Sequence, residues 1–492
     1  MRILNMDDLA SHGNRRVRQH AAEILEAALQ AADPYYTTLQ LIRIEGDRLI
    51  VGNPDFEPSG APRTGDEVFD LNRIGRILVV GAGKGVHRVA KAIEDVLGER
   101  LTGGHIIAKI GDEVDLRRIG YTYGAHPVPD EGCVEGCRRI LEICQGLKKE
   151  DLVFTIAGNG VSALLTLPAP GISLEDVRRT TYALQIERGT PTGDLNMVRN
   201  HIDIMKGGRV TRYLQPATAI HLLAIDANQE RRAGQSGWDK LIYRNAWLHF
   251  LPEGTTFQDA IDALHKWDAW EAVPDSVRQH LLRADPADET VKANEFLRTN
   301  FRIFGVMPHS YGLVPAAMRK ARELGYTPHH MARFLRSEAR EAGATLAAIA
   351  ITIEEEGTPF GTPCALFTSG ELVVTVGQED GVGGRNQEYA VGAALAISGS
   401  QNIVVGAVDS DGTDGPGGQF KPGGWDIPNL AGGIVDGQTV AEAKAAGVDL
   451  FVELRRHNTS PALWKIKSGI HAIHSISVND LGVTLIAGRA QD

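Results

Sequence analysis

An arginine, an amide and a run of carboxylates stand close together late in this chain. Gly383-Gly384-Arg385-Asn386-Gln387-Glu388 is followed, after an apolar helix and a strand, by Asp409-Ser410-Asp411-Gly412-Thr413-Asp414-Gly415. The planar fork of a guanidinium suits two-point capture of a carboxylate, which makes Arg385 a candidate for a substrate anion with Asn386 beside it. An ion pair to Glu388 or another neighbour is the structural alternative. Asp411 and Asp414, with Asp480 in the chain's last loop, are the oxygen ligands that Mg2+ favours next to a phosphate. Together these residues suit a small anionic substrate beside a divalent metal.

The first half carries a second set. A β-branched run at 77–80 feeds Gly81-Ala82-Gly83-Lys84-Gly85, where glycines allow close backbone approach and Lys84 adds a point charge at a helix start. The loop is not a Walker A motif, because the second glycine and the Lys-Ser/Thr step are missing. A tight turn with a solvated lysine fits it as well as an anion contact at Gly83 and Lys84 does. Ala157-Gly158-Asn159-Gly160-Val161-Ser162 reads either as a steric turn with a serine cap or as an anion cradle using Asn159 and Ser162. His126, in a rigid His-Pro-Val-Pro-Asp loop, is a further site candidate. Arg199-Asn200-His201 and Lys206-Gly207-Gly208-Arg209 form a basic cluster, either a solvated helix end or an anion site through Arg199 and Lys206. Asp226 ends an apolar strand at 219–225, a position where open α/β sheets hold functional groups.

These candidates need elements to hold them. Continuous apolar runs at 77–81, 105–109, 152–156 and 219–225 alternate with helical stretches at 86–97 and 132–147, which predicts a doubly wound, mostly parallel sheet. A helix is expected at 14–32. A second α/β run is expected from 301, with strands at 301–306, 347–353, 364–367, 372–376, 402–408 and 483–487. Helices are placed at 313–324 and near 331–346. The fold class is therefore α/β in two domains, 1–300 and 301–492, the first ending in a polar, Trp-rich, helical segment at 228–300.

With 492 residues, the chain is longer than one core usually serves. A formal charge of −11 argues against nucleic-acid and anionic-membrane partners. No apolar run approaches the roughly 20 residues of a membrane span, and the first residues lack a signal-peptide core, so a cytoplasmic address is expected. Four cysteines without ligand-spaced partners read as core thiols.

In order and spacing these motifs resemble the glycerate 2-kinase family, whose C-terminal half is the MOFRL domain. The likeness runs from Ala31-Ala32-Asp33-Pro34 to Val478-Asn479-Asp480-Leu481. It includes the Gly-Ala-Gly-Lys loop, His-Pro-x-Pro-Asp, Ser162-Ala163-Leu164-Leu165, Lys206-Gly207-Gly208-Arg209 and Gly384-Arg385-Asn386-Gln387-Glu388. The resemblance implies ATP- and Mg2+-dependent phosphoryl transfer to D-glycerate or a related sugar acid, in a cleft between two α/β domains. It implies that Lys84 meets the substrate or the transferred phosphoryl group, that Arg385 holds the substrate carboxylate and that Asp226 stands where the family keeps a catalytic acidic residue. A homodimer is the expected assembly.

The family's Ser-Gly-Pro-Thr and Thr-Gly-Pro-Thr-Gly-Thr-Asn loops are replaced here. A segment with Trp238, Tyr243, Trp247, His249 and Phe250 stands for the first, and Ser468-Gly469-Ile470-His471-Ala472-Ile473-His474 for the second. An insertion at 418–429 comes after Asp414. The alternative is therefore an ATP-independent lyase, decarboxylase or isomerase in which His471, His474 or His249 does acid–base work. A nicotinamide enzyme is not expected, since no Gly-x-Gly-x-x-Gly precedes a ribose-binding acid.

Overall fold

The computed structural model describes residues 1–225, 237–308, 312–376, 378–415, 426–475 and 479–488. The chain forms two compact units, one of Met1–Asp33 with Ser310–Asp492 and one of Pro34–His309. The first 33 residues, with helix α1 (Arg15–Ala31), thus cluster with the C-terminal half rather than with the unit that starts at Pro34.

The unit Pro34–His309 is built on six parallel strands: β1 (Ile77–Ala82), β2 (Gly103–Lys109), β3 (Ile119–Gly124), β4 (Leu152–Ala157), β5 (Thr218–Leu223) and β6 (Phe301–Gly305). Their order is β3-β2-β1-β4-β5-β6. Every residue of β1 and β4 is buried, which is why these segments read as unbroken apolar runs rather than alternating ones. Helix α2 (Val86–Leu97) comes after β1; α3 (Glu131–Ile143) precedes β4; the single turn α4 (Val161–Leu164) succeeds it. Cys133 and Cys137 on α3 are buried in the core beside Ile140 and Leu164, as core thiols. A small antiparallel sheet of 42–45, 48–51 and 67–70 completes the unit, with a helical layer. That layer contains α5 (Thr192–His201), whose Leu195 and Val198 pack against Phe257, Ala260 and Leu264.

In this strand order the chain reverses direction across the sheet between β1 and β4, and ligands of open α/β sheets collect at the carboxyl ends of such a pair. The two glycine loops sit there. A Cβ on Gly83 would lie 2.6 Å from the Gly158 backbone, and one on Gly158 would lie 2.6 Å from the Lys84 carbonyl. The loops approach so closely that only glycine fits at both positions.

The second unit carries helices α6 (Leu313–Glu323), α7 (Ala339–Glu356) and α8 (Arg385–Ala396). Its strands are β7 (Thr327–Leu335), β8 (Cys364–Gly370), β9 (Ile403–Asp409), β10 (Gly432–Asp436), β11 (Gly469–Ile470) and β12 (Asp480–Ile486). They form a mixed sheet in the order β7-β8-β12-β9-β10-β11, parallel only between β7 and β8.

Several expectations are corrected. The strand at 301–306 closes the first sheet beside β5 instead of opening the second. The run 347–353 lies inside α7, where Ala339, Ala342, Leu346, Ala347, Ala350 and Ile353 are buried at helical spacing. Residues 331–335 belong to the edge strand β7, not to a helix. Residues 372–376 contribute one bridge, Glu338 to Val373, and no strand.

Candidate functional site

At the switch point the Lys84 amide donates to the Asn159 carbonyl at 2.8 Å, tying the two glycine loops together. Gly85 and Gly160 take left-handed φ of 71° and 79° to start α2 and α4. A Cβ on Gly160 would come 2.8 Å from the His126 ring and 3.5 Å from Lys84 Cε, so these side chains converge on one corner. Beside it opens a cavity of about 360 Å3 lined by His126, Asn159 and Ser162 from the loops, Asn196 and Arg199 from α5, and Gln185 and Trp247.

The cavity is electropositive. Arg199 is 6 % exposed, and its guanidinium donates to Gln185 Oε1 at 3.2 Å. Burial alone lowers its pKa, to about 10, and among the described residues no carboxylate pairs with it. It therefore remains a buried cation at neutral pH. Asn196 is fully buried, and among the described residues neither of its amide atoms has a hydrogen-bond partner. An uncompensated charge and an orphaned amide are both costly inside a protein. A small anion in the cavity would pair with the guanidinium and accept from Asn196 Nδ2, leaving Oδ1 to accept from a donor such as a ligand hydroxyl. His126 reports the same field: burial, then Lys84, Lys109 and Arg199, depress its pKa to about 4. Ser162 Oγ lies 2.9 Å from Nε2 of the buried His249.

Arg199, His126, Asn159 and Ser162, singled out from the sequence, thus share one cavity. Asn196 and Gln185 were not singled out. For Asn196 the signal was its helical spacing to Arg199, three positions on, and to Thr192, four positions back. Gly83 serves loop packing. Lys206 is taken by structure: its ammonium donates to Asp203 Oδ2 at 2.6 Å and to Thr166 Oγ1 at 2.8 Å, with the side chain 1 % exposed. Asp226 lies outside the described residues.

In the other unit, Arg385 is the hub of an ion-pair network. Its Nε donates to Asp480 Oδ2 at 2.7 Å and its Nη2 to Asp409 Oδ2 at 2.6 Å. The structural alternative considered for this arginine is the one observed, with partners other than Glu388. Asn386 bridges Asp414 and Asp480 through its Nδ2 at 3.2 and 2.9 Å. Asp414 caps α8, accepting from the amides of Asn386 and Gln387 at 3.1 and 2.9 Å. Asp480 also accepts from the Leu372 amide at 2.9 Å, and Asp411 from the Thr413 amide at 2.8 Å. The three carboxylates expected to bind Mg2+ thus accept from protein donors, and among the described residues no group of three His, Cys, Asp or Glu side chains is arranged to hold a metal. His471 packs edge-on to Trp464, its pKa lowered by burial and then by His474, which is exposed.

Burial raises the pKa of Asp414 from 3.8 to about 6, outweighing the amides of Asn386 and Gln387. Such a group stabilises the fold most below its unfolded pKa and loses that contribution as pH climbs through its folded value. Asp414 therefore favours folding at pH 4 over pH 7 by up to about 3 kcal/mol. Amide exchange in α8 should speed up in the wild type between pH 4.5 and 7, after correction for intrinsic rates, and Asp414→Asn should flatten that dependence. An unchanged slope in the variant would refute the assignment.

Comparison with known proteins fits this architecture. A family model described as a domain of unknown function, DUF4147, matches residues 20–233, and the MOFRL family model matches 364–479. The two matches define a class of α/β protein that joins these domains in one chain. A glycerate 2-kinase of Pyrococcus horikoshii is 32 % identical over 452 residues, covering 92 % of each chain, and a D-glycerate 2-kinase of Thermotoga maritima is 32 % identical over 433 residues, covering 85 % of this chain and 93 % of its own. A solved glycerate kinase structure from Thermotoga maritima superposes with a TM-score of 0.71 at 29 % identity, covering 96 % of this chain and all of the other. The chain belongs to the glycerate 2-kinase family and is an enzyme of the glycerate-kinase type.

Proposed function

We propose that this enzyme transfers the terminal phosphoryl group of ATP to a hydroxyl of D-glycerate or a closely related small hydroxy acid. One observation carries the assignment of the acid site: the buried cation Arg199, without a carboxylate partner among the described residues, beside the orphaned amide of Asn196 in a cavity of about 360 Å3 that has room for a three-carbon acid. Arg199 and Asn196 hold the carboxylate. Lys84, at the same corner, offsets charge on the phosphoryl group in flight; such transfer is mostly positioning and charge neutralisation. Mg2+, where it is bound with ATP, would supply further neutralisation of phosphate charge. In this reading Arg385, whose Nη2 and Nε engage Asp409 and Asp480, is not the residue that holds the carboxylate.

The names of the relatives support glycerate and kinase chemistry, and no observation favours the ATP-independent alternative. The test is ADP release from Mg·ATP with D-glycerate, with the product resolved by 31P NMR into 2- and 3-phosphate. ADP formation that depends on D-glycerate, with a 2-phosphate product, is expected. Binding of D-glycerate without any ADP formation overturns the kinase assignment.

A further inference from the structure

We propose that His249 is a positioning residue that turns the Ser162 hydroxyl oxygen toward the anion cavity as an acceptor, so that the cavity selects hydroxy acids over acids lacking the hydroxyl. The inference rests on the small-acid reading of this cavity.

Ser162 is 9 % exposed and sits in α4, just past the Asn159-Gly160 turn, where it lines the cavity. His249 is 1 % exposed, and its Nε2 lies 2.9 Å from Ser162 Oγ. The charged side chain lining the cavity, Arg199, only donates hydrogen bonds. A hydroxy acid brings acceptors in its carboxylate and a donor in its hydroxyl, and that donor needs an acceptor in the wall. A serine oxygen can accept if its own proton is committed elsewhere.

His249 commits it. Burial, then Lys206, Arg199 and Arg209, hold this imidazole well below its ordinary pKa, so it stays neutral with a lone pair available on one ring nitrogen. Arg199, which lines the cavity, favours the oxygen lone pairs of Ser162 on the ligand side, and the neutral imidazole at 2.9 Å is the acceptor left for the serine proton. The same cations count against a proton relay through the pair, because an imidazolium would form among three positive charges. The pair thus positions and discriminates; it does not carry the substrate proton.

The experiment is calorimetric binding of D-glycerate and of propionate, which has the same carbon chain without hydroxyls, to the full chain. The variants are Ser162→Ala, His249→Leu and His249→Gln, each checked for an intact melting transition. Ser162→Ala and His249→Leu should weaken D-glycerate by about tenfold, the value of one well-made hydrogen bond in a dry site, and leave propionate within about twofold. His249→Gln should retain most of the preference, since its amide oxygen can take the serine proton. Equal losses on both acids in all three variants would assign the pair to structure alone, and an undiminished preference in Ser162→Ala would remove Ser162 from the ligand; either result overturns the proposal. A wild-type protein that binds neither acid overturns the small-acid reading and this inference with it. Binding and discrimination without ADP formation overturns the kinase assignment and leaves the positioning role standing.

Discussion

Arg199→Met should lose about a hundredfold in kcat/KM for D-glycerate while melting at the same temperature as the wild type or higher. The two halves of this result come from one observation. Arg199 is a buried cation with a single hydrogen bond to Gln185 and no carboxylate partner among the described residues. In the ligand-free fold it is a burden, because an ionised group out of water without a counter-charge costs several kcal/mol. Methionine fills similar space without that cost, so stability should hold or rise. With the substrate bound, the guanidinium becomes one half of a desolvated charge pair, and truncating one half of such a pair costs roughly 2–5 kcal/mol of binding. The lower end of that range is already more than a tenfold loss and its middle exceeds a hundredfold. Calorimetric titration of D-glycerate, beside scanning calorimetry of the free protein, reads both halves. Near-normal binding with a lowered melting temperature would make Arg199 a structural residue and remove the anion site from this cavity.

A physical line separates the features legible in the residues from those concealed there. β1 and β4 were legible because a strand buried on both faces has to be an unbroken apolar run, and the glycine turns after them because two backbones in contact leave no room for a Cβ. The stretch 347–353 misled for the converse reason: a short apolar, β-branched run looks the same on a buried strand and on the inner face of a helix. The strand at 301–306 was visible, but the sheet it joins is decided by long-range pairing that no local pattern encodes. At the site, Asn196 had only its spacing to Arg199 to mark it, a weak signal because a neutral amide on a helix usually faces water. Asp411, Asp414 and Asp480 present the same formal charges whether they hold a cation or accept from Arg385, Asn386 and backbone amides. Only their partners distinguish the two, and the partners come from segments far apart in the chain.

Lys206 and Arg199 stand seven residues apart in one basic cluster, and the structure gives them opposite roles, so their variants should fail in opposite ways. Lys206 and Asp203 are each 1 % exposed and paired at 2.6 Å. Asp203 also accepts from the amides of Leu167 and Met205 at 2.9 and 2.8 Å, which pins the loop leading out of α5. Removing the ammonium leaves a carboxylate out of water with amide donors alone, and breaking a buried pair from one side costs about 3–5 kcal/mol. In a unit of this size each kcal/mol moves the melting point by roughly 2–4 °C, so Lys206→Met should lower it by about 10 °C. Adding Asp203→Asn should recover part of the loss, because the second change removes the stranded charge and keeps an oxygen for the backbone amides. At a temperature where the variant is folded, its affinity for D-glycerate should stay within about threefold of wild type, since the lost group is two bonded partners deep in the protein rather than at the ligand. Wild-type melting with abolished binding would reverse the assignment, making Lys206 the anion ligand that its place in the basic cluster first suggested.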